Sequence, residues 1–309
     1  MDFKSVLTRE ELVALSLRSI YASHGYTQYR MSKFEEYDLY AKNKDFLVSD
    51  NIITFTDTDG RLLALKPDVT LSIIKNDRDS EGIKKLYYNE NVYRPSRGTR
   101  SFRELMQVGL ECMGEVGETE IAEVILLAKM SLDAISPDNV LEISHLDIVS
   151  GVLSAFNISE EGRGRIYTYL AAKNERGIES VCEEEGLAPE NTALVTRLAT
   201  LYGEPGRVLP ELSAFCLNDG IRAAVDSLFR VLTSLEAGGV LGISLDFSLL
   251  SDMSYYNGIA IKGFVSGIPT GVLSGGQYDR LMKKMNRKSR AVGFAVYLDE
   301  ISKLSCLGE

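Results

Sequence analysis

The stretch Tyr255-Tyr256-Asn257 opens the last fifth of the chain, and it is followed by Gly275-Gly276-Gln277-Tyr278-Asp279 and by Gly293-Phe294-Ala295-Val296-Tyr297-Leu298-Asp299-Glu300. The apolar patterns around these motifs predict strands at 255–264, 271–274 and 291–297 and a helix at 278–285. Strands that follow one another over short connections are typical of an antiparallel sheet. This segment therefore sets the fold of the chain as a sheet with helices packed beside it.

The N-terminal part of the chain continues this pattern. Apolar residues at helical spacing predict a helix over 8–24, which ends where Gly25 supplies the usual C-terminal stop. Strands at 52–56 and 62–65 flank Asp59-Gly60, a pair that is typical of tight hairpin turns. A helix over 68–75 and strands at 85–88 and 107–113 follow, and a polar loop at 94–103 connects those two strands.

The middle of the chain is mostly helical. From about residue 116 helical patterns prevail, with a strand at 140–143, until a strand at 240–245 leads back to the sheet. Runs of antiparallel strands with segregated helices define an α+β fold. We predict an antiparallel β-sheet flanked by helices, formed by residues 1–154 and 236–309, with 155–235 as an inserted helical subdomain.

Composition narrows the classes of protein that fit the chain. Its 309 residues are 45% apolar and carry a formal net charge of −10. Nucleic-acid affinity comes from clustered Lys and Arg, so this charge argues against a broad nucleic-acid surface. We interpret the basic stretches 94–103 and 283–290 as solvated surface or as contacts with a protein partner. No apolar run of about 18 residues occurs and the N-terminus is charged, so we expect a cytoplasmic protein and no membrane span.

Residues that usually hold metals are few and scattered. The four cysteines form no Cys-x-x-Cys pair and have no histidine nearby, so we expect reduced thiols, no metal site and no bound cofactor. We expect the only two histidines to be structural. These residues are Cys112, Cys182, Cys216, Cys306, His24 and His145.

One predicted strand has a polar and an apolar face. In Gln107-Val108-Gly109-Leu110-Glu111, strand alternation places Gln107, Gly109 and Glu111 on one face. Gly109 leaves open space between two hydrogen-bonding side chains, as a small ligand lying on the sheet requires. A solvated sheet face with an incidental glycine is the alternative interpretation.

The motifs that begin at Tyr255, Gly275 and Gly293 follow one another in an order that resembles that in the catalytic core of histidyl-tRNA synthetases, a family of class II aminoacyl-tRNA synthetases. The resemblance implies that Gln107 and Glu111 contact a histidine. Leu63-Ala64-Leu65-Lys66-Pro67-Asp68-Val69-Thr70 looks like the family's Leu-Arg-Pro-Glu-Gly-Thr, which implies that Asp68 and Thr70 help to hold the amino acid. Carboxylates facing an ammonium or an imidazole N–H form strong charge-assisted hydrogen bonds.

Two further matches complete the site that the resemblance implies. Tyr255 and Tyr256 match a tyrosine pair beside the imidazole, although the pair alone is also consistent with ordinary strand packing. Arg94 resembles the motif 2 arginine, which grips the α-phosphate and the carboxylate during amino-acid activation. The glutamate that normally follows this arginine is absent, so we expect Arg94 to meet a ligand carboxylate.

Other positions depart from the family. Ser251 and Glu300 stand where the family has arginines for chemistry and for ATP, and Gln277 replaces the arginine of Gly-Gly-Arg-Tyr-Asp. Adenylate formation brings a triphosphate next to a carboxylate and needs several cations. We therefore expect no catalytic residues and no ATP activation. The chain stops soon after the last motif, so we also expect no anticodon-binding domain and no tRNA partner.

A synthetase core with these losses resembles the regulatory subunits of ATP phosphoribosyltransferase, over about residues 8–150 and 238–304. That resemblance implies a non-catalytic partner of the short-form catalytic subunit, which it activates and makes sensitive to L-histidine in the first step of histidine biosynthesis. Class II cores usually dimerise, so we expect a homodimer within a hetero-oligomer.

Two other functions fit the same residues. One is a purely structural assembly subunit without a ligand, since fold kinship does not fix function. The other is a truncated synthetase paralogue that still activates an amino acid. The sequence also leaves open whether histidine acts in the pocket or at a subunit interface.

Overall fold

The structure is a computed structural model that describes residues 6–47, 51–77, 82–95, 101–250 and 256–305. Within these ranges the helices are α1 (Arg9–Ser23), α2 (Tyr37–Ala41), α3 (Thr70–Asn76), α4 (Glu118–Ile135), α5 (Leu146–Ala155), α6 (Glu160–Ala171), α7 (Glu175–Glu184), α8 (Pro189–Arg197), α9 (Pro205–Val208), α10 (Asp219–Ala237), α11 (Asp279–Lys284) and α12 (Leu298–Ser305). The strands are β1 (Thr27–Gln28), β2 (Phe34–Glu36), β3 (Thr54–Thr56), β4 (Leu62–Leu65), β5 (Lys84–Pro95), β6 (Phe102–Gly114), β7 (Asn139–His145), β8 (Tyr202–Gly203), β9 (Ile243–Asp246), β10 (Asn257–Val265), β11 (Leu273–Gln277) and β12 (Arg290–Tyr297). None of the described helices is both long and apolar enough to cross a membrane.

Nine strands form one sheet in the order β1-β5-β6-β12-β11-β10-β7-β9-β8, and β2, β4 and β3 form a smaller one. From β5 to β7 every neighbouring pair is antiparallel, which confirms the predicted sheet. The pairs β1–β5 and β7–β9 are parallel, which the sequence pattern did not indicate. β5 and β6 are longer than predicted because their ladder continues to the pair Pro95 and Phe102.

Local signals placed the first elements correctly. Thr8 and Glu11 form a reciprocal capping box at the start of α1. After this helix Gly25 adopts a φ of +83°, as a glycine stop requires. Gly60, with a φ of +80°, turns the chain between the antiparallel strands β3 and β4, which confirms the predicted hairpin.

The large sheet has an apolar face and a face that carries polar residues. Val108 and Leu110 of β6 are buried in one hydrophobic cluster with α1 and α4. Tyr21 of α1 meets Phe294 of β12 edge-on, with the ring centroids 5.9 Å apart. Gln107 and Glu111 alternate with these residues, so the core holds the sheet on one side and leaves the other side for a site.

The helices between α5 and α10 lie at the end of the large sheet. β8 pairs with β9 and becomes the last strand of that sheet. Ile166 of α6 and Val181 of α7 belong to the same hydrophobic cluster as the apolar face of the sheet. Apart from the short strand β8, the regular structure of residues 155–235 is helical, as the pattern indicates, whereas their standing as a separate subdomain stays a prediction.

Candidate functional site

A pocket lies on the polar face of the large sheet, over β5, β6, β12 and β11. All the predicted site residues that the structure describes line this pocket, although they come from separate segments of the chain. These residues are Asp68, Thr70, Arg94, Gln107, Glu111 and Tyr256. Two residues that the sequence singled out, Tyr255 and Ser251, lie outside the described residues.

Small side chains form the floor of the pocket. The strand register places Gly109 of β6 beside Ala295 of β12, and Ala295 beside Ser274 of β11. Ala295 and Ser274 line the pocket. A row of small residues across neighbouring strands leaves room for a ligand above the sheet.

The structure corrects the interpretation of Gly109 as open space. A Cβ atom at this glycine would lie 2.4 Å from the hydroxyl oxygen of Tyr88 and 2.4 Å from the carbonyl oxygen of Phe294. Tyr88 stands opposite Gly109 on β5, and its side chain reaches over the glycine. Gly109 therefore makes room for the tyrosine that lines the pocket, and not directly for a ligand.

Two hydroxyl groups hold the carboxyl group of Glu111. Tyr278 donates to Oε2 at 2.6 Å, and Thr70 donates to Oε1 at 2.7 Å. Burial raises the pKa of Glu111 to about 8, and these two hydrogen bonds partly counteract the burial. A cationic group of a ligand would favour the ionised form, because an opposite charge nearby stabilises the carboxylate.

Gln107 brings an unused hydrogen-bond donor to the pocket. Its side-chain nitrogen Nε2 is buried and has no hydrogen-bond partner within the described part of the chain. The whole residue is only 3% exposed. A buried donor without a partner is unfavourable, so a ligand oxygen that accepts from Nε2 would remove this cost.

The segment before α3 positions Asp68. Its Oδ1 accepts a hydrogen bond from the backbone N–H of Leu71 at 2.9 Å. Arg94 donates from Nε to the carbonyl oxygen of Pro67 at 2.8 Å, and its guanidinium lies 3.8 Å from Oδ2 of Asp68. Burial raises the pKa of Asp68, although Arg94 acts in the opposite direction. Arg94 thus both lines the pocket and orients the carboxyl group of Asp68.

Aromatic residues that the sequence did not predict as binding residues form much of the wall. Tyr88, Tyr278, Tyr297 and Phe46 line the pocket together with Tyr256. Tyr278 belongs to the Gly-Gly-Gln-Tyr-Asp motif, so the motif itself was a signal for it. Tyr88 had no such signal, because its place depends on the register of β5 against β6.

Gln277 and Glu300, which we expect from the sequence to stand at arginine positions of the family, are engaged within the fold and do not line the pocket. Gln277 is buried, and its Oε1 accepts a hydrogen bond from the backbone N–H of Ile259 at 2.8 Å. Glu300 accepts hydrogen bonds from the hydroxyl of Thr270 and the ammonium of Lys303. Neither side chain offers a positive charge to a phosphate.

Neither histidine lines the pocket, and neither do the three cysteines that the structure describes. Nδ1 of His24 lies 2.9 Å from the carbonyl oxygen of Ile20 at the end of α1. His145 is buried, and burial lowers its pKa to about 4. Cys112, Cys182 and Cys216 are free thiols, and Cys306 is not among the described residues. Within the described ranges no three His, Cys, Asp or Glu residues are grouped to hold a metal ion.

The basic stretch 283–290 makes contacts within the chain. Lys284 pairs with Asp45 at 2.8 Å, and Arg287 donates to the carbonyl oxygen of Ile74 at 3.0 Å, near the end of α3. Arg290 pairs with Asp279 at 3.1 Å. The two ion pairs are largely exposed and contribute little to stability, whereas the hydrogen bond of Arg287 ties this stretch to the end of α3. Of the other basic stretch, residues 96–100 lie outside the described ranges.

Gly293→Ala should weaken binding of L-histidine, the ligand that the resemblance implies, by at least about tenfold. A Cβ atom at Gly293 would lie 1.8 Å from Oε2 of Glu111 and 2.4 Å from the carbonyl oxygen of Leu110, so the carboxyl group has to leave Tyr278. Titration with L-histidine and thermal unfolding check this result. Gly164→Ala, where nothing lies within 4 Å, is the matched control. Unchanged histidine binding in Gly293→Ala would contradict the prediction that L-histidine binds to Glu111 in this pocket.

The contribution of Glu111 to the stability of the protein should fall as pH rises from about 4.5 to about 8, whereas the contribution of His145, whose pKa burial lowers to about 4, rises with pH. In that range the unfolded chain has ionised Glu111 while the folded chain keeps the proton, so unfolding releases a proton. A full proton corresponds to a slope of about 1.4 kcal/mol per pH unit. Urea unfolding at several pH values should show that the unfolding free energy of Glu111→Gln has a less negative slope against pH than that of the wild type. Equal slopes in both proteins would refute a raised pKa at this residue.

The fold and the pocket define a class II aminoacyl-tRNA synthetase core: an antiparallel sheet whose polar face carries a small-ligand pocket. The chain belongs to the histidyl-tRNA synthetase family, whose model matches residues 5–301.

Proteins similar to this chain are named as ATP phosphoribosyltransferase regulatory subunits, as histidyl-tRNA synthetases, or as both. An ATP phosphoribosyltransferase regulatory subunit from Alkaliphilus metalliredigens is 28% identical over 305 residues, which are 96% of this chain and 77% of that protein. A solved ATP phosphoribosyltransferase regulatory subunit/histidyl-tRNA synthetase from Bacillus halodurans has a TM-score of 0.83 at 22% identity and covers 96% of this chain and 78% of its own. A chain of the ATP phosphoribosyltransferase complex from Thermotoga maritima has a TM-score of 0.73 at 17% identity, covering 94% and 97%. The two structures show the shared fold.

Proposed function

We propose that this chain is a non-catalytic regulatory subunit of ATP phosphoribosyltransferase. In the proposal it binds L-histidine in the pocket, associates with the short-form catalytic subunit, and is required both for the activity of that subunit and for its inhibition by histidine. The names of the relatives support the regulatory role, and a cytoplasmic location and a homodimeric arrangement belong to the same proposal.

The balance of carboxyl groups and cationic groups that line the pocket is the observation that carries this function. Two carboxyl groups, Asp68 and Glu111, line the pocket, and Arg94 is the only cation among its described lining residues. This balance suits an amino acid, with an ammonium and an N–H for the carboxylates and a carboxylate for Arg94. It does not suit the triphosphate of ATP, which needs several cations.

The losses relative to the synthetases support a sensor over a catalyst. Glu300 and Gln277 bring no positive charge where the family has arginines, and Ser251 adds a third replacement. The groups that would hold histidine persist. We infer that the effector binds and is not activated, so that its binding free energy biases the assembly between an active and an inhibited state.

Co-expression with a short-form catalytic subunit tests the proposal directly. We expect a stable complex by sizing, phosphoribosyltransferase activity that depends on this chain, and inhibition of that activity by L-histidine. A complex that is active but insensitive to histidine would favour a purely structural subunit. Without complex formation the regulatory role fails.

A second assay separates the proposal from a truncated synthetase. We expect no histidine-dependent ATP–pyrophosphate exchange by this chain, because the pocket has too few cations for adenylate formation. Measurable exchange would overturn the non-catalytic assignment.

A further inference from the structure

An apolar groove lies at the end of the large sheet that is far from the pocket. It has a volume of about 920 Å³ and is bounded by the segment 204–210, by one side of α10 and by residues 240–244. The pocket lies over β5, β6, β12 and β11, whereas this groove lies beside β9. The two sites are therefore separate surfaces of the same sheet.

Large apolar side chains stand open to solvent in this groove. Leu241 is 80% exposed and Phe229 is 54% exposed, and both line the groove with Leu209. A contiguous exposed apolar patch of this kind is typical of an interaction site. Leu241 contributes little to the folded chain, which leaves its side chain available to another molecule.

The strand β9 beside the groove has a neighbouring strand on its outer side over only part of its length. β8 pairs only with Leu245 and Asp246, so Ile243 and Ser244 of β9 have no strand partner on that side within the described chain. Ile243 and Ser244 both line the groove, so an extended segment seated in it would run alongside this part of β9. Main-chain hydrogen bonds along an edge combined with apolar pockets are a common mode of peptide recognition.

The charge of the groove narrows the chemistry of its occupant. Both charged residues that line it are exposed glutamates, Glu204 and Glu236. Complementary charge across an interface favours association and disfavours wrong partners. The matching segment therefore carries apolar anchors with lysine or arginine beside them.

We propose that this groove docks an extended segment of the catalytic subunit, with apolar side chains over Phe229 and Leu241 and basic side chains beside Glu204 and Glu236. The identity of the partner rests on the proposed function, whereas the location of the interface rests on the groove itself. Because the groove is separate from the pocket, partner binding and histidine binding can be disrupted independently.

The test measures the affinity of the catalytic subunit for this chain and for variants of the groove. Phe229→Asp and Leu241→Asp should each weaken association at least tenfold, and Glu236→Arg should weaken it and reduce its dependence on salt. All three side chains are exposed, so the variants keep the fold, which thermal unfolding checks. Ala223→Asp adds the same charge on an exposed position of α10 outside the groove and should bind like the wild type.

The outcomes separate this inference from the function on which it rests. If the wild-type chain does not bind the catalytic subunit, the proposed function fails and the docking proposal fails with it. If the wild type binds and all three groove variants bind within twofold of it, the groove is not the interface, while the regulatory function stands. Loss of binding in the groove variants with unchanged L-histidine binding supports the proposal.

Discussion

Glu90→Gln should lower the free energy of unfolding by about 3–5 kcal/mol, the usual cost of removing one partner from a buried ion pair. The ammonium of Lys66 is fully buried and pairs with the carboxylate of Glu90, which is 16% exposed. Without the carboxylate, the ammonium stays in the interior with its charge uncompensated. Urea unfolding of the two proteins measures the difference.

The position of this pair gives the substitution a functional consequence. Lys66 lies two residues before Asp68, and its carbonyl oxygen accepts a hydrogen bond from the backbone N–H of Tyr93 at 2.9 Å. The pair thus holds the segment that carries Asp68 and Thr70 against β5. We expect Glu90→Gln to weaken ligand binding as well as the fold.

Two controls make the prediction about Glu90 specific. Glu104→Gln makes the same change on β6 at an exposed carboxylate, and it should cost at most about 1 kcal/mol. The double variant Lys66→Met, Glu90→Leu removes both charges and should be less destabilised than Glu90→Gln. A loss below about 1 kcal/mol in Glu90→Gln would show that the pair is not buried as described.

Glu111→Gln should weaken L-histidine binding by about 10- to 100-fold, the equivalent of one charged hydrogen bond of about 1.5–3 kcal/mol. The amide cannot offer a negative charge to a cationic group of the ligand. The hydroxyl groups of Thr70 and Tyr278 each donate to one carboxyl oxygen of Glu111. In the amide an NH2 group replaces one of these oxygens, and it cannot accept the hydrogen bond. Glu115→Gln, an exposed position just beyond β6, is the matched control and should bind normally.

Proton release offers a second measure of the role of Glu111. Near pH 7 the empty pocket holds Glu111 mostly protonated, since burial raises its pKa to about 8. A cationic ligand group that ionises this carboxyl expels the proton to the buffer. Calorimetry in two buffers of different ionisation enthalpy should detect the release in the wild type and a smaller release in Glu111→Gln. Equal release would assign the proton to another group.

The sequence was sufficient for those parts of the fold and pocket that depend on local patterns. Strand alternation placed Gln107 and Glu111 on the polar face, and the Asp-Gly turn placed the hairpin. The pattern was insufficient where the outcome depends on the register between distant strands. Tyr278 reaches Glu111 across 167 residues of sequence. Periodicity along one strand carries no information about such a contact.

Gly109 shows how a residue can be assigned to the correct face of the sheet and still be given the wrong role. Its position in the polar face suggested open space, whereas the structure fills that space with the side chain of Tyr88 from the neighbouring strand. Gly293 accommodates Glu111 in the same way. Glycines in this sheet admit side chains from adjacent strands, and the resulting wall of tyrosines shapes the pocket.

Titration calorimetry with L-histidine tests the central claim most directly, on this chain alone and in complex with the short-form catalytic subunit. We predict saturable binding at one site per chain, weakened in Glu111→Gln and unchanged in Glu115→Gln. Absence of binding heat in both forms of the protein, or unchanged binding in Glu111→Gln, would contradict the assignment of the pocket to histidine.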